Sequence, residues 1–263
     1  MKKLFILTLL VQFVLCAFSA HAEVITIVGT GSGPSILKEI GKAFNKQNPR
    51  IDIVVPRSIG SGGGIKAVGK DEYLLARVAR EIKPNEKKYN LVYTPIARVP
   101  IVFYTNPSVQ VKNLSHEQIC KIYSGKIFNW QQVGGHKARI RMITRQEGDS
   151  SLSVLLKSFP GFKETSVSTL AKTTFSDPET IETVESFSDT IAYGAYSDVK
   201  NRNLIVPDID NVSPTDTSYP YFGVLALVYK EIQKKGSIKK FIDFATSPLA
   251  VEAIKRSGGL PVR

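Results

Sequence analysis

The sequence predicts an α/β fold with a mainly parallel sheet, because one short pattern occurs twice near its N-terminus. An apolar strand, residues 24–28, runs into a glycine-rich turn, and apolar residues at helical spacing follow from Pro34. A second strand, residues 51–55, leads to the glycine loop 58–64 and then to another predicted helix. Repeated strand, glycine turn and helix are typical of α/β domains.

The N-terminal segment has the features of a secretory signal peptide. Lys2 and Lys3 precede the apolar run 4–18, and Ala20-His21-Ala22 supplies a small-residue cleavage pattern. A membrane-spanning helix needs roughly 20 apolar residues, and this run is shorter. We therefore predict cleavage after Ala22, a signal peptide of residues 1–22, and a periplasmic mature protein.

Removal of that segment leaves 241 residues, enough for two domains of ordinary size. The segment carries two lysines and no acidic residue, so the net charge falls from +12 to +10. A basic balance favours anionic ligands or partners, although a solvated basic surface accounts for it equally well. Cys120 is the one cysteine left, which excludes a disulfide within the mature chain.

The middle of the chain predicts a second α/β section. A strand at 101–105 is bounded by prolines, and another strand at 140–144 runs into the polar loop 145–151 before a helix. The C-terminal part returns to a strand at 222–229. Two helices follow it, and the last is capped by Ser247.

Three loops share a pattern that favours anion binding. Each leaves a strand, is rich in glycine or short hydroxyl residues, and opens a helix, whose N-terminus offers unpaired N–H groups and partial positive charge. The third loop also supplies an arginine with a planar fork of donors. A single loop of this kind is weak support, since many helices simply begin after glycine. The predicted ligand-binding residues are Thr30, Ser32, Gly33, Ser35, Gly60, Ser61, Gly62, Arg145, Asp149, Ser150 and Ser151.

Motifs for enzymatic chemistry fail on inspection, so we predict no catalytic residue, no metal site and no cofactor. Residues 64–71 nearly match a P-loop, but Asp71 stands where a Ser or Thr must bind magnesium. His116 and His136 lie in unrelated polar settings, which leaves little for a catalytic triad or a zinc site. A hydrolytic pair of carboxylates stays open as a less favoured alternative.

Several segments resemble the phosphate-binding proteins of bacterial phosphate ABC transporters, members of the type II periplasmic binding protein superfamily. The similar segments are 58–66, 122–130, Arg145 with 148–151, 241–248 and 258–262. The resemblance implies a two-lobed periplasmic-binding-protein-like fold with two crossovers and a ligand cleft between the lobes. It places residues 23–100 and 220–263 in the first lobe and 101–219 in the second, with crossings at 100–107 and 215–222.

The resemblance also implies a solute-binding protein without catalytic activity. Its ligand would be dehydrated phosphate or a related oxyanion. Its partner would be the membrane permease of an ABC importer, and it would not bind nucleic acid. By position in the motifs, Ser61, Arg145 and residues 149–151 would contact the ligand. The alternatives are a secreted binding or sensor module for another anion and, less favoured, a periplasmic hydrolase.

Three departures from the family pattern leave the identity of the ligand open. Leu74 is assigned to the position of the family's aspartate that accepts the proton of phosphate, and Pro34 removes a donor from the first loop. Asp149 stands where a hydroxyl residue is usual. It either takes over the role of proton acceptor or caps the following helix.

Overall fold

The computed structural model describes residues 22–262, so the predicted signal peptide falls almost entirely outside the described residues. The predicted α/β fold is confirmed. The strands are β1 Glu23–Gly29, β2 Ile51–Val54, β3 Leu75–Val78, β4 Val92–Thr105, β5 Asn113–Leu114, β6 Arg141–Arg145, β7 Lys172–Thr174, β8 Thr190–Ala195, β9 Asp208–Ile209, β10 Phe222–Tyr229 and β11 Leu260–Pro261. The α-helices are α1 Pro34–Gln47, α2 Gly60–Gly69, α3 His116–Tyr123, α4 Ser150–Ser158, α5 Asp177–Ser186, α6 Tyr196–Val199, α7 Gly236–Ala245 and α8 Val251–Arg256.

Nine of the strands form one sheet in the order β2-β1-β3-β10-β4-β8-β6-β7, with β11 also on β4. The small strands β5 and β9 pair separately. Parallel pairs join β1 to β2 and β3, and β6 to β7 and β8, whereas β10 and β4 run antiparallel to their neighbours. The sheet is therefore mixed rather than mainly parallel, because the chain crosses its centre twice in opposite directions.

Strand β4 belongs to both halves of this sheet. Up to Pro100 it pairs with β10, and from Ile101 onward it pairs with β8. The predicted strand at 101–105 was too short, because Pro100 was taken as its boundary, whereas β4 extends back through Pro95 to Val92. The register shifts opposite Leu225 and Ala226, and Pro100 lies at the change of partner, so both prolines stand at irregular positions.

A second segment crosses between the two halves beside β4. The N–H of Ile101 donates to the carbonyl of Tyr221 at 2.8 Å, and the hydroxyl of Tyr219 donates to the carbonyl of Ile101 at 2.8 Å. Both tyrosines are buried. The two crossing segments are therefore hydrogen-bonded to each other at one residue.

Strand β3 was not predicted, and its presence corrects the assignment of Leu74. β3 runs parallel to β1, so Leu74 precedes it at the sheet edge opposite the glycine-rich turn, where its side chain is exposed. The residue that follows β3 at the loop edge is Ala79, whose N–H donates to Ser61 Oγ at 3.1 Å. Leu74 therefore does not occupy a ligand position, and the prediction that placed it there was wrong.

The core fixes the strands that end at these loops. In the second half of the sheet, Phe103 stacks with Tyr123, Phe159, Phe162 and Tyr193 at centroid distances of 5.3–6.1 Å. Tyr193 then accepts a hydrogen bond from the N–H of Arg145 at 3.0 Å. Among the residues described, no helix combines the length and apolar character needed to cross a bilayer.

Candidate anion-binding site

The first glycine-rich loop, residues 29–33 (loop 1), packs tightly on strand β3. Gly29 has a φ of 131°, and a Cβ atom placed there would lie 1.9 Å from the carbonyl oxygen of Arg77, which only glycine avoids. The N–H of Thr30 donates to the same oxygen at 3.0 Å. Gly33, with a φ of 71°, then turns the chain into α1 at Pro34. Loop 1 is thus held in one conformation.

The side chains of loop 1 have different partners. Thr30 and Ser32 are buried, and Thr30 Oγ1 accepts a hydrogen bond from the N–H of Ser32 at 3.2 Å. Ser35, in the first turn of α1, donates instead to Asp198 Oδ1 at 2.9 Å. Ser35 is therefore paired with a carboxylate of the second half of the sheet.

The second glycine loop, residues 58–64 (loop 2), contacts loop 1 through Ser58, which the sequence did not single out. Ser58 Oγ donates to the carbonyl of Gly29 and accepts from the N–H of Gly60, both at 3.1 Å. Ser61 accepts from Ala79, and Gly62 faces the ion pair between Arg80 and Glu86. The predicted residues Ser61 and Gly62 thus have partners within the first half of the sheet.

Arg145 ends strand β6, and its side chain is only 4% exposed. Its Nη2 lies 2.7 Å from Asp149 Oδ2, and its Nη1 lies 2.7 Å from Thr180 Oγ1 and 3.3 Å from Asp177 Oδ1. Its Nε is buried without a hydrogen-bond partner among the described residues. A buried donor of a charged group without a partner is costly, so this atom is a candidate to bind an oxyanion.

Asp149 caps helix α4. Its Oδ1 accepts a hydrogen bond from the N–H of Leu152 at 2.9 Å, while its Oδ2 pairs with Arg145. The predicted residues Ser150 and Ser151 form the first turn of α4, and Ser151 is buried. The geometry matches the cap alternative, since both carboxylate oxygens already accept hydrogen bonds.

Asp177 is the acidic residue that sequence reasoning missed, because Asp177-Pro178 was interpreted only as the start of a helix. It is the first residue of α5, and a Cβ atom placed on Gly31 would lie 3.5 Å from its Oδ2. Burial raises the pKa of Asp177 to about 6, although Arg145 opposes this shift. Asp177 therefore brings a carboxyl that titrates near neutral pH to loop 1.

Two more groups contribute to the electrostatics of this region. Tyr104 is buried beside Gly194, and burial followed by the charge of Asp177 raises its pKa, so it stays neutral. Burial also raises the pKa of Asp198, against the hydrogen bond from Ser35. The carboxyls of Asp149 and Asp177 thus pair with Arg145, and the charge of Asp198 also acts on Asp177.

The structure brings Gly31, Ser58, Asp177, Arg145 and Asp149 into one connected set of contacts between the two halves of the sheet. Main-chain donors of loop 1 and one guanidinium suit an oxyanion, and the carboxyls suit a ligand that carries a proton. Within residues 22–262, no cluster of three potential metal ligands occurs.

Comparison with known proteins gives a consistent result. A sequence model for the PBP superfamily domain matches residues 18–248. The phosphate-binding protein PstS of Borreliella burgdorferi is 26% identical over the full length of both chains. A Clostridium perfringens structure, described as a phosphate ABC transporter substrate-binding protein with bound phosphate, has a TM-score of 0.78 and 26% identity, covering 92% of this chain and all of that one. An ABC-type phosphate transport receptor from Vibrio cholerae, at 22% identity and a TM-score of 0.64 over 90% of this chain and all of that one, shares the fold.

Proposed function

Because this chain belongs to the PBP superfamily, we propose that it binds inorganic phosphate and delivers it to the membrane permease of an ABC importer. The similar PstS proteins of Borreliella burgdorferi and Bacillus subtilis are phosphate-binding proteins, and the Clostridium perfringens structure contains bound phosphate, which supports this choice of ligand. The proposed role is capture and release without chemical conversion. It requires secretion, which the N-terminal sequence pattern predicts.

One observation carries the proposal within the molecule itself. The buried guanidinium of Arg145 lies at the end of β6, and its Nε has no hydrogen-bond partner among the described residues. Asp177 lies between this group and loop 1 on the other half of the sheet. An oxyanion placed there would receive hydrogen bonds from Arg145 and from loop 1 together. The N–H groups of Thr30 and Ser32 already donate to the carbonyl of Arg77 and to Thr30 Oγ1, so the proposed ligand contacts are Arg145 and the N–H of Gly31.

We also propose that the two halves of the sheet are lobes that close on the ligand, with the boundaries 23–100 plus 220–263 and 101–219. The change of partner along β4 at Pro100 and Ile101 supports this division. Closure predicts a smaller radius of gyration with saturating phosphate than without it in small-angle scattering. Identical profiles would contradict closure.

The proposal is tested by isothermal calorimetry of the mature protein with inorganic phosphate, with sulfate as comparator. Phosphate binding with a clear margin over sulfate is expected, because Asp177 favours an anion that can donate a proton. Absence of phosphate binding by a folded protein would overturn the assignment. Mass spectrometry of the protein as purified, under non-denaturing conditions, would identify any ligand it retains.

A second candidate is a binding or sensor module for a different acidic ligand. The excess of carboxyls around Arg145 favours it, since these groups oppose a fully ionised dianion. A singly charged carboxylate ligand bound in preference to phosphate and sulfate would support this candidate.

A further inference from the structure

Arg77 is a second buried arginine, and it lies directly beneath loop 1. Arg77 is 1% exposed and lies within strand β3, which the sequence did not predict. Its Nε donates to the carbonyl of Thr30 at 2.8 Å, its Nη2 donates to the carbonyl of Pro56 at 2.9 Å, and its Nη1 donates to the carbonyl of Ile27. All three acceptors are main-chain groups that flank the two glycine loops.

The charge of this guanidinium is not neutralised by an acidic side chain. Across the described residues, no carboxylate forms an ion pair with Arg77, and burial alone lowers its pKa to about 10. The group is therefore still a cation at neutral pH, with neutral carbonyls as its partners. A buried charge without a counter-charge is unfavourable, and a nearby anion would relieve that cost.

Arg77 also acts on the donors of loop 1. The carbonyl of Thr30 belongs to the same peptide group as the N–H of Gly31, so a charged donor on that carbonyl strengthens the N–H as a donor. The carbonyl of Arg77 meanwhile fixes the N–H of Thr30 at 3.0 Å. The side chain and main chain of one residue thus hold loop 1 from both sides.

We propose that Arg77 is a positioning residue whose uncompensated charge, transmitted through the peptide group 30–31, raises the affinity of loop 1 for anions in proportion to their charge. This proposal rests on the proposed phosphate binding. The residue does not touch the ligand, so its effect is electrostatic and depends on ligand charge, whereas a purely structural residue would affect all ligand forms alike.

The test compares Arg77→Gln and Arg77→Lys with the wild type by calorimetry with inorganic phosphate. Both variants keep a polar donor, but only Arg77→Lys keeps the charge. Titration from mildly acidic to mildly alkaline pH changes phosphate from mainly monoanion to mainly dianion. Asp177, Asp149, Asp198, Tyr104 and Arg145 are present in every variant, so the ratio of variant to wild-type affinity at each pH isolates the effect of position 77.

Coulomb energy is proportional to ligand charge, so the logarithm of the loss in Arg77→Gln should double from monoanion to dianion. We expect a loss of roughly threefold for the monoanion and roughly tenfold for the dianion. Arg77→Lys should keep the wild-type preference between the two forms. Arg141→Gln, an exposed arginine in β6, is the matched control for net charge and should leave both affinities unchanged.

Equal losses for both ligand forms in Arg77→Gln would overturn the proposal and leave phosphate binding intact. If circular dichroism shows that Arg77→Gln does not fold, the proposal is tested with Arg77→Lys alone. A preference between monoanion and dianion that differs between Arg77→Lys and the wild type would contradict the role of charge. A folded wild-type protein that binds no phosphate would overturn the proposed function and this inference together.

Discussion

Arg77 and Arg145 are two buried arginines, one in strand β3 beneath loop 1 and the other at the end of β6, yet their partners differ completely. Arg145 is held by Asp149 and Asp177, which together carry more negative charge than it can neutralise. Arg77 has only the carbonyls of Ile27, Thr30 and Pro56. The same residue type therefore has two proposed roles: Arg145 would exchange protein carboxylates for a ligand, whereas Arg77 would stay fixed beneath loop 1.

This difference between the two arginines indicates which region would select among anions and which would attract anions in general. A carboxylate beside Arg145 competes with an incoming anion but also accepts a proton from it, so this region discriminates between ligands. A cation without a counter-charge beneath loop 1 attracts every anion. The following substitutions test the role of Arg145 and of its carboxylate partners, beginning with the largest expected effect.

Arg145→Ala should weaken phosphate binding by at least tenfold, measured by calorimetry. Charge-assisted hydrogen bonds contribute roughly 1.5–3 kcal/mol each, and the substitution also leaves Asp149 and Asp177 facing the ligand without a cation. Arg141→Ala, four residues earlier on β6, is the control that should retain wild-type affinity. Unchanged affinity in Arg145→Ala would remove this residue from the site.

Asp177→Asn should stabilise the ligand-free protein at neutral pH. The folded pKa of about 6 exceeds the ordinary value of 3.8, so the folded state binds the proton more tightly, and wild-type stability falls as pH rises between these values. Above about pH 6 the variant should gain roughly 3 kcal/mol in free energy of unfolding, and below pH 3.8 the two proteins should be alike.

Urea unfolding at several pH values measures this difference. Glu182→Gln, on the same helix, is a control for loss of one carboxyl. A gain that is equal at all pH values would show that the charge of Asp177 is not its cause.

Asp149→Ser should have the smallest effect on stability, because serine also caps helices. Asp149→Ala should cost about 1 kcal/mol through loss of the cap to Leu152. If Asp149 only caps α4 and occupies Arg145, Asp149→Ser frees the guanidinium and phosphate binding improves severalfold. Weaker phosphate binding with a narrower margin over sulfate would instead assign Asp149 as the proton acceptor.

The sequence predicted the parts of this molecule that depend on local pattern. The apolar run 222–229 coincides with β10, and Pro34 begins α1 as expected. Ser115 caps α3 through the N–H of Gln118. In each case the signal lies within a few residues, in hydrophobic spacing or in a capping side chain.

The missed features depend on contacts between distant residues. Strand β3 was not recognised because Arg77 interrupts its apolar run, and its charge is tolerated only through carbonyls 21 to 50 positions away. The N-terminal part of β4 was not predicted, because the bulge beside Pro95 is defined by pairing with the distant strand β10. In the sequence, Asp177 indicates only the start of a helix, because its proximity to Arg145 and Gly31 arises from the tertiary structure.

The hydrogen bonds at Ile101 have a mechanical consequence. The two chain crossings are joined there, because Tyr219 and Tyr221 of the second crossing both form hydrogen bonds with Ile101 of the first, and both tyrosines are buried. These two hydrogen bonds resist sliding, since translation of one half of the sheet past the other would break both of them. We therefore expect the proposed closure to occur by rotation about Ile101, through backbone torsion of the two paired crossings, and not by translation of one half past the other.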